Sequence, residues 1–329
     1  MNARPAIYAL AARYRLDGHA TRRLLELAVC GAQPEDLAVW VWRALAMFAS
    51  GLVGLGAILW VAANWDSLGR FGQLALLQGL IAAAGAGAVT LVAARAALSL
   101  LALLATGALL AYLGQIYPAG ADPWQLFAWW AALSLPLALA VRSDVLWTPW
   151  AMVAMAAVAL WAQSYGSRPW ASGPSDTTAY LLSWSAAGLL VAALSPALSR
   201  LTGAGIWALR TAATLAIASV VFPALFALFA RPTGTDLYWL GLLALGAAVG
   251  IASLPALFEV GILSAATLGL DTLLVAGLAR LLLDDLGGRE PIVQFFVLGI
   301  AAAGLVAASV SAILWLVRSR ASARGGASI

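Results

Sequence analysis

The stretch LLAYLGQIYPAGADPWQLFAWWAALSLP, residues 109–136, ends one apolar segment, turns through polar and aromatic residues, and begins another apolar segment. Apolar segments of about 20 residues are long enough to cross the hydrocarbon core of a bilayer as helices. The whole chain shares this character, with 64% hydrophobic and 10% charged residues among 329. The sequence therefore predicts an all-α, polytopic transmembrane helix bundle.

Ten spans are predicted from the apolar segments: 40–62, 71–93, 96–116, 123–141, 144–162, 178–195, 206–230, 235–254, 257–283 and 291–317. The shortest connections lie at Arg95, at residues 142–144 and at residues 253–259. Because one long, kinked helix can imitate two spans at such places, counts of nine and eleven stay open.

The chain divides into three parts by composition. Residues 1–39 carry charges among two short helical patterns, and we expect a small cytosolic helical hairpin there. The alternative is that this segment is amphipathic and lies on the membrane surface before the first span. Residues 40–317 form the transmembrane bundle, and residues 318–329 are predicted to be a basic, disordered tail.

Arginine placement predicts the orientation. All 18 basic residues are Arg, and the side of the membrane that holds both termini receives eleven of them, against four on the other side. Because positively charged flanks resist translocation, both termini are expected in the cytosol. The Arg residues form no continuous basic face, so nucleic acid is not an expected partner.

Reactive side chains are scarce. Cys30 and His19 are single and lie near the N-terminus, which excludes a disulfide framework, a Cys/His zinc site and a His-assisted nucleophile. We therefore expect no catalytic residue, no metal and no cofactor, and a protein that is not an enzyme.

The first candidate site lies at the predicted outer ends of the first and third spans. Anchoring at the interface explains the aromatic residues there, but it does not explain the amide and carboxylate groups at the same level. We expect one polar, aromatic recess that suits a lipid headgroup or another small ligand. The alternative is simple anchoring and helix capping. The candidate residues are Asn64, Trp65, Asp66, Gln115, Tyr117, Asp122 and Trp124.

The second candidate site is Asp271, near the middle of the ninth span. A charged carboxylate there costs several kcal/mol, so the side chain should face protein or water. Ser264 and Thr267 precede it at helical spacing and extend the polar stripe. The alternative is a protonated Asp271 that hydrogen-bonds to a neighbouring helix.

Three motifs carry a family resemblance. The sequences AANWD, GQIYPAGADPWQLF and VRSD follow one another in this order. Together they resemble the bacterial family of predicted integral membrane proteins catalogued as domain of unknown function 2157, over residues 50–150. Pro118, directly after Tyr117, departs from the family pattern. The resemblance implies a protein of the bacterial cytoplasmic (inner) membrane and no particular activity.

Two functions are compatible with these features. The first is transport or translocation of a small polar or amphiphilic solute, with Asp271 as an ion or proton site. The second is a ligand-sensing or assembly and regulatory membrane subunit, in which the outer recess binds the ligand. The expected partners are membrane lipids, a small-molecule ligand, and further copies or a partner subunit.

Overall fold

The computed structural model describes residues 3–21, 23–24, 35–63, 65–116, 122–165, 174–229, 235–255, 257–285 and 291–325. These residues are mainly helical, and no strand occurs among them. The chain separates into two compact units, residues 1–69 and residues 70–329.

The first unit begins with α1 (Ala3–Arg13) and contains α2 (Glu35–Ala63). After α1 the chain turns, and the Asp17 carboxylate accepts a hydrogen bond from the Ala20 N–H at 2.7 Å, which caps a further helical turn at residues 18–21. Residues 25–34 lie outside the described residues, so the cytosolic hairpin stays a prediction. Next, α3 (Trp65–Thr90) leaves helical geometry at Gly69, where φ is 61°.

In its described residues, the second unit contains the rest of α3, eight longer helices and one short one. In chain order the further helices are α4 (Arg95–Ile116), α5 (Pro123–Val141), α6 (Asp144–Tyr165), α7 (Pro174–Ala193), α8 (Ser199–Thr202), α9 (Ile206–Phe229), α10 (Thr235–Ala252), α11 (Val260–Asp285) and α12 (Pro291–Gly325). Large apolar side chains such as Trp129, Phe222 and Leu243 are exposed on their outer surfaces. Such surfaces suit lipid as the surrounding solvent.

Seven helical segments among the described residues are long and apolar enough to cross a membrane: 67–90, 92–116, 123–141, 144–165, 206–229, 260–282 and 293–320. Three shorter apolar helical stretches lie at residues 40–53, 177–193 and 236–252. The all-helical membrane class is therefore confirmed. The count of ten spans stays a prediction.

Two helix boundaries differ from the predicted ones. The last helix continues through Gly325, although the sequence predicted an end at 317 and a disordered tail. The reason is local, since residues 318–324 are Arg, Ser and Ala, which a helix accepts, and the first Gly comes at 325. Likewise, the break near Arg95 is a 3₁₀ turn at Val92–Ala94, and Arg95 begins α4.

The packed core has two parts. In the first, α5, α6, α7 and α9 meet around the buried Leu146 and Trp147, whose ring lies 5.0 Å from that of Trp150 in an edge-to-face arrangement. In the second, α7, α9, α10 and α11 meet around the buried Leu245 and Leu273. The helices α7 and α9 contribute to both parts and thereby join them.

The turn between α5 and α6 holds the start of α9. Asp144, the first residue of α6, accepts hydrogen bonds from three backbone N–H groups, those of Gly205 at 3.1 Å and of Trp207 and Ala208 at 2.9 Å. These N–H groups lie at the start of α9, where no preceding helical carbonyl is available to accept from them. Arg142 donates to the carbonyls of the α8 turn. The Asp144 side chain thus caps α9, a helix that begins 62 residues later in the chain.

Indole N–H groups link neighbouring helices through backbone carbonyls. Trp130 donates to Leu103 at 2.9 Å, Trp150 to Ala131 at 2.9 Å and Trp184 to Ser219 at 3.0 Å. Trp147 also donates to Thr202, at 2.8 Å. An indole carries a donor that must be satisfied when it is buried. These four residues therefore act between helices, a role different from the interface anchoring that is common for Trp in membrane proteins.

Candidate functional site

The outer candidate residues are only partly described. Asp122 directly precedes α5, and its carboxylate accepts a 3.3 Å hydrogen bond from the indole N–H of Trp124. Gln115, near the end of α4, is exposed. Asn64 and Tyr117 lie outside the described residues, and only the backbone is described for Trp65 and Asp66. The structure brings Asp122 and Trp124 together, and the shared recess stays a prediction.

Asp271 is buried, with 7% of its surface exposed, on the side of α11 that faces α12. Its carboxyl group accepts a hydrogen bond from the Ser309 hydroxyl at 3.0 Å. The Thr267 hydroxyl instead bonds to carbonyls of its own helix, those of Leu263 at 2.9 Å and Ser264 at 3.0 Å, and Ser264 is exposed. The partner of Asp271 is thus Ser309, and the rest of the predicted stripe does not join them.

A cavity of about 410 Å³ lies between α6, α7 and α9. Most of its wall is apolar, and its polar atoms come from four side chains contributed by all three helices. The lining residues are Met152, Met155, Ala156, Ala159, Ala162, Gln163, Tyr180, Ser183, Leu215, Ala218, Ser219, Phe222 and Pro223.

The polar side chains of the cavity are uncharged. Ser183 donates to the Val158 carbonyl at 3.4 Å, and Ser219 donates to the Ala216 carbonyl at 2.7 Å. Gln163, near the C-terminal end of α6, is exposed, and Tyr180 is half-buried on α7. An amide, a phenol and two hydroxyls on an otherwise apolar wall suit a molecule with a small polar group and an apolar body.

One helical hydrogen bond is missing in the wall of the cavity. Pro223 has no N–H, so the Ser219 carbonyl four residues earlier loses its helical partner, although α9 continues through the proline. The indole N–H of Trp184 on α7 supplies the missing donor at 3.0 Å. A side chain of another helix therefore replaces one hydrogen bond of the α9 ladder beside the cavity.

Sequence reasoning missed this cavity because no single residue in it is unusual. Gln163, Tyr180, Ser183 and Ser219 are separated in the chain and come together only through helix packing. The one usable signal was Pro223 inside an apolar span, four residues after a Ser. A proline there requires some other group to satisfy a carbonyl in the membrane.

At the start of α11, Glu259 forms an ion pair with Arg210 of α9, with Nη2 and Oε1 2.6 Å apart. Burial is the largest single influence and raises the pKa of Glu259. Glu259 also accepts hydrogen bonds from Arg210 and from the backbone N–H groups of Ile262 and Gly261. These bonds and the positive charge of Arg210 outweigh the effect of burial, so the pKa of Glu259 lies below its ordinary value of 4.5. The Glu259 side chain is mostly covered.

Metal ligands do not cluster in the part of the chain that the structure describes: no group of three or more His, Cys, Asp or Glu residues there is arranged to hold an ion. The described polar chemistry is that of hydroxyls, amides, indoles and carboxylates, and two of the carboxylates, Asp271 and Glu259, are engaged with Ser309 and Arg210. Such groups bind and orient a ligand by hydrogen bonding.

The family comparison agrees with the motifs. The family model described as Predicted membrane protein (DUF2157) matches residues 6–147, which include AANWD, GQIYPAGADPWQLF and VRSD. The expected resemblance is therefore confirmed over that part of the chain, and the protein is a helical membrane protein. Neither the curated proteins nor the solved structures contain a match to this chain.

Proposed function

We propose that the protein binds a small amphiphilic molecule between α6, α7 and α9 and moves it across the membrane. The observation that carries this proposal is the cavity of about 410 Å³, whose apolar wall holds the polar groups of Gln163, Tyr180, Ser183 and Ser219. A ligand in such a site would be oriented by hydrogen bonds and held by apolar contact.

The proline in α9 supports movement of a bound molecule. With Pro223 in place, α9 lacks one helical hydrogen bond beside the cavity, and the bond from Trp184 to the Ser219 carbonyl takes its place. Helices bend most readily at proline, so α9 could change direction there by exchanging this one bond.

Asp271 is the proposed ion- or proton-binding residue of this transport. Its burial in a span and its pairing with a neutral hydroxyl, that of Ser309, support the assignment. An Asp271→Asn variant keeps an acceptor for Ser309. We expect it to fold and to lose transport driven by an ion gradient, whereas unchanged transport would assign Asp271 a purely structural role.

The proposal includes the setting of the protein. The family resemblance implies a bacterial cytoplasmic membrane, and the excess of Arg on one side supports an orientation with both termini in the cytosol. In a Cys30→Ala background, single cysteines at Gly120 and Gly173 should react with an impermeant maleimide in intact cells, and one at Ser322 should not. Labelling of the Ser322 position would overturn this orientation.

Translocation is tested in unilamellar vesicles that contain a short-chain phospholipid with a fluorescent headgroup. A membrane-impermeant reductant bleaches only the outer leaflet of empty vesicles, and we expect it to bleach further in vesicles that contain the protein. Ala159→Phe should abolish the extra bleaching, because residue 159 lines the cavity. The matched control Ala247→Phe adds the same ring to an exposed position on α10.

Two results would contradict the proposal of transport through this cavity. Equal bleaching with and without protein, together with binding of the probe that Ala159→Phe removes, would favour the ligand-sensing or assembly subunit instead. Extra bleaching that persists in Ala159→Phe would place the pathway outside this cavity.

A further inference from the structure

A second concavity, a groove of about 440 Å³, lies between α5, α6 and α7. Its wall is almost entirely apolar. Small Ala residues give it depth, and two indole rings, those of Trp124 and Trp161, stand at one end. The lining residues are Trp124, Ala128, Ala157, Val158, Trp161, Leu182 and Ala186.

The groove and the cavity lie on opposite sides of the contact between α6 and α7. Val158 lines the groove, Ser183 lines the cavity, and the Ser183 hydroxyl donates to the Val158 carbonyl at 3.4 Å. A molecule in the groove therefore occupies a different place from the molecule proposed for the cavity.

A carboxylate stands at the end of the groove that holds the two indoles. The Trp124 indole N–H lies 3.3 Å from the Asp122 carboxylate, which is exposed. In the described parts of the chain the one ion pair joins Arg210 and Glu259, so Asp122 meets no cationic side chain there. The groove thus combines an apolar floor with a negative charge at its mouth.

We propose that this groove holds one acyl chain of a phospholipid whose ammonium headgroup pairs with Asp122. The groove opens on helices that are apolar enough to cross a membrane, where acyl chains are the surrounding solvent. An ammonium group complements the Asp122 charge, and indole rings suit the boundary between chain and headgroup. The occupant is a resident lipid, and this inference does not depend on transport through the cavity.

The test uses the full-length protein in mixed vesicles with equal amounts of phosphatidylethanolamine and phosphatidylglycerol that carry the same acyl chains. After gentle extraction, native mass spectrometry measures which lipid stays bound. We expect enrichment of phosphatidylethanolamine, and Asp122→Asn should reduce that enrichment about threefold, as loss of an exposed ion pair allows.

The matched control is Asp236→Asn, which removes another exposed acid from the first turn of an apolar helix, α10. It should leave the enrichment unchanged. Equal retention of the two lipids by the unmodified protein, or an equal loss in both variants, would overturn the pairing with Asp122.

The apolar part of the groove is tested by filling it. Ala128→Leu should lower retention of the bound lipid about tenfold, because it displaces roughly two methylene groups of the chain. Ala247→Leu, on a lipid-facing surface, is the matched control. If Ala128→Leu fails to fold, Ala186→Leu fills the same groove from α7. Undiminished retention in the folded variant would overturn the proposal.

Discussion

Half of the apolar stretch with which α6 could span the membrane is buried in the protein, whereas none of the corresponding stretch of α12 is buried. Both helices are long and apolar enough to cross a membrane. They differ in their polar contacts: α6 contributes Asp144, Trp147 and Trp150 to hydrogen bonds with other helices. From α12, Ser309 donates to Asp271, and Arg320 donates to the Ser253 carbonyl near the end of the helix.

This difference shows what places a helix at the centre of a membrane protein. Lipid tails are as apolar as Leu side chains, so apolar composition does not draw a helix inward. Close packing and hydrogen bonds between helices do, because they satisfy groups that lipid cannot. The comparison between α6 and α12 can be tested by removing such contacts one at a time.

The largest effect is expected for Asp144→Ala. This change removes the acceptor for three N–H groups at the start of α9, and we expect the free energy of unfolding to fall by about 3 kcal/mol. Unfolding in mixed micelles with increasing denaturing detergent measures it. The control Asp236→Ala changes an acid in the first turn of α10, and a loss of the same size there would show that Asp144 has no special role.

A smaller effect is expected from one methyl group. In Gly107→Ala the added Cβ would overlap the Trp130 ring, so we expect a loss of about 2 kcal/mol from overpacking. In Gly299→Ala on α12 the Cβ meets nothing within 4 Å, and the change should be neutral or stabilise by up to about 1 kcal/mol. Gly107 lies on the packed helix α4, so the same unfolding assay compares a packed helix with the exposed α12. Equal effects would remove the distinction between packed and exposed helices.

Trp184→Phe should cost about 1 kcal/mol, because the Ser219 carbonyl loses its donor while an aromatic ring stays in place. In a Pro223→Ala background the restored N–H of residue 223 can bond to Ser219 within α9. The cost of Trp184→Phe should then fall to about half, which a double-mutant cycle measures. A cost that is independent of residue 223 would show that the indole does not replace the missing helical bond.

The smallest effect concerns pH. Because the folded-state pKa of Glu259 lies below 4.5, its ion pair adds stability that is present above that value and is lost as pH falls through the lower, folded-state pKa. The midpoint of thermal unfolding, followed between pH 6 and the acid limit of the protein, should therefore fall less steeply in Glu259→Gln than in the unmodified chain. Identical slopes would contradict the role of Glu259.

Composition and length were enough to predict the helical membrane class, because no soluble core of this size tolerates so few charges. The burial of Asp271 could also be predicted, because a charge in lipid is costly. Its partner Ser309 could not be named from the sequence, since Ser residues are common in spans. The motif VRSD was visible, but its Asp144 acts on a helix that starts at residue 206, and only the packed structure shows this.

The cavity escaped prediction for a related reason. Its polar groups lie on three helices, and the sequence pattern of each helix alone is that of an ordinary span. Trp residues misled in the same way, because an indole that anchors a helix at the interface and one that donates to a neighbouring carbonyl look identical in a sequence. Burial distinguishes them: Trp147 is buried and Trp129 is exposed.

The claim that the space between α6, α7 and α9 is a binding site is tested most directly by photolabelling. A phospholipid with a diazirine in its acyl chain is activated in vesicles, and the labelled peptides are quantified with and without an excess of unlabelled short-chain lipid. We predict that competition lowers labelling of residues 152–163 and 215–223 and leaves labelling of the lipid-facing α12 unchanged. Equal competition in residues 152–163, in residues 215–223 and in α12 would contradict the claim that this space is a binding site. Labelling that depends on exposure alone would also contradict it.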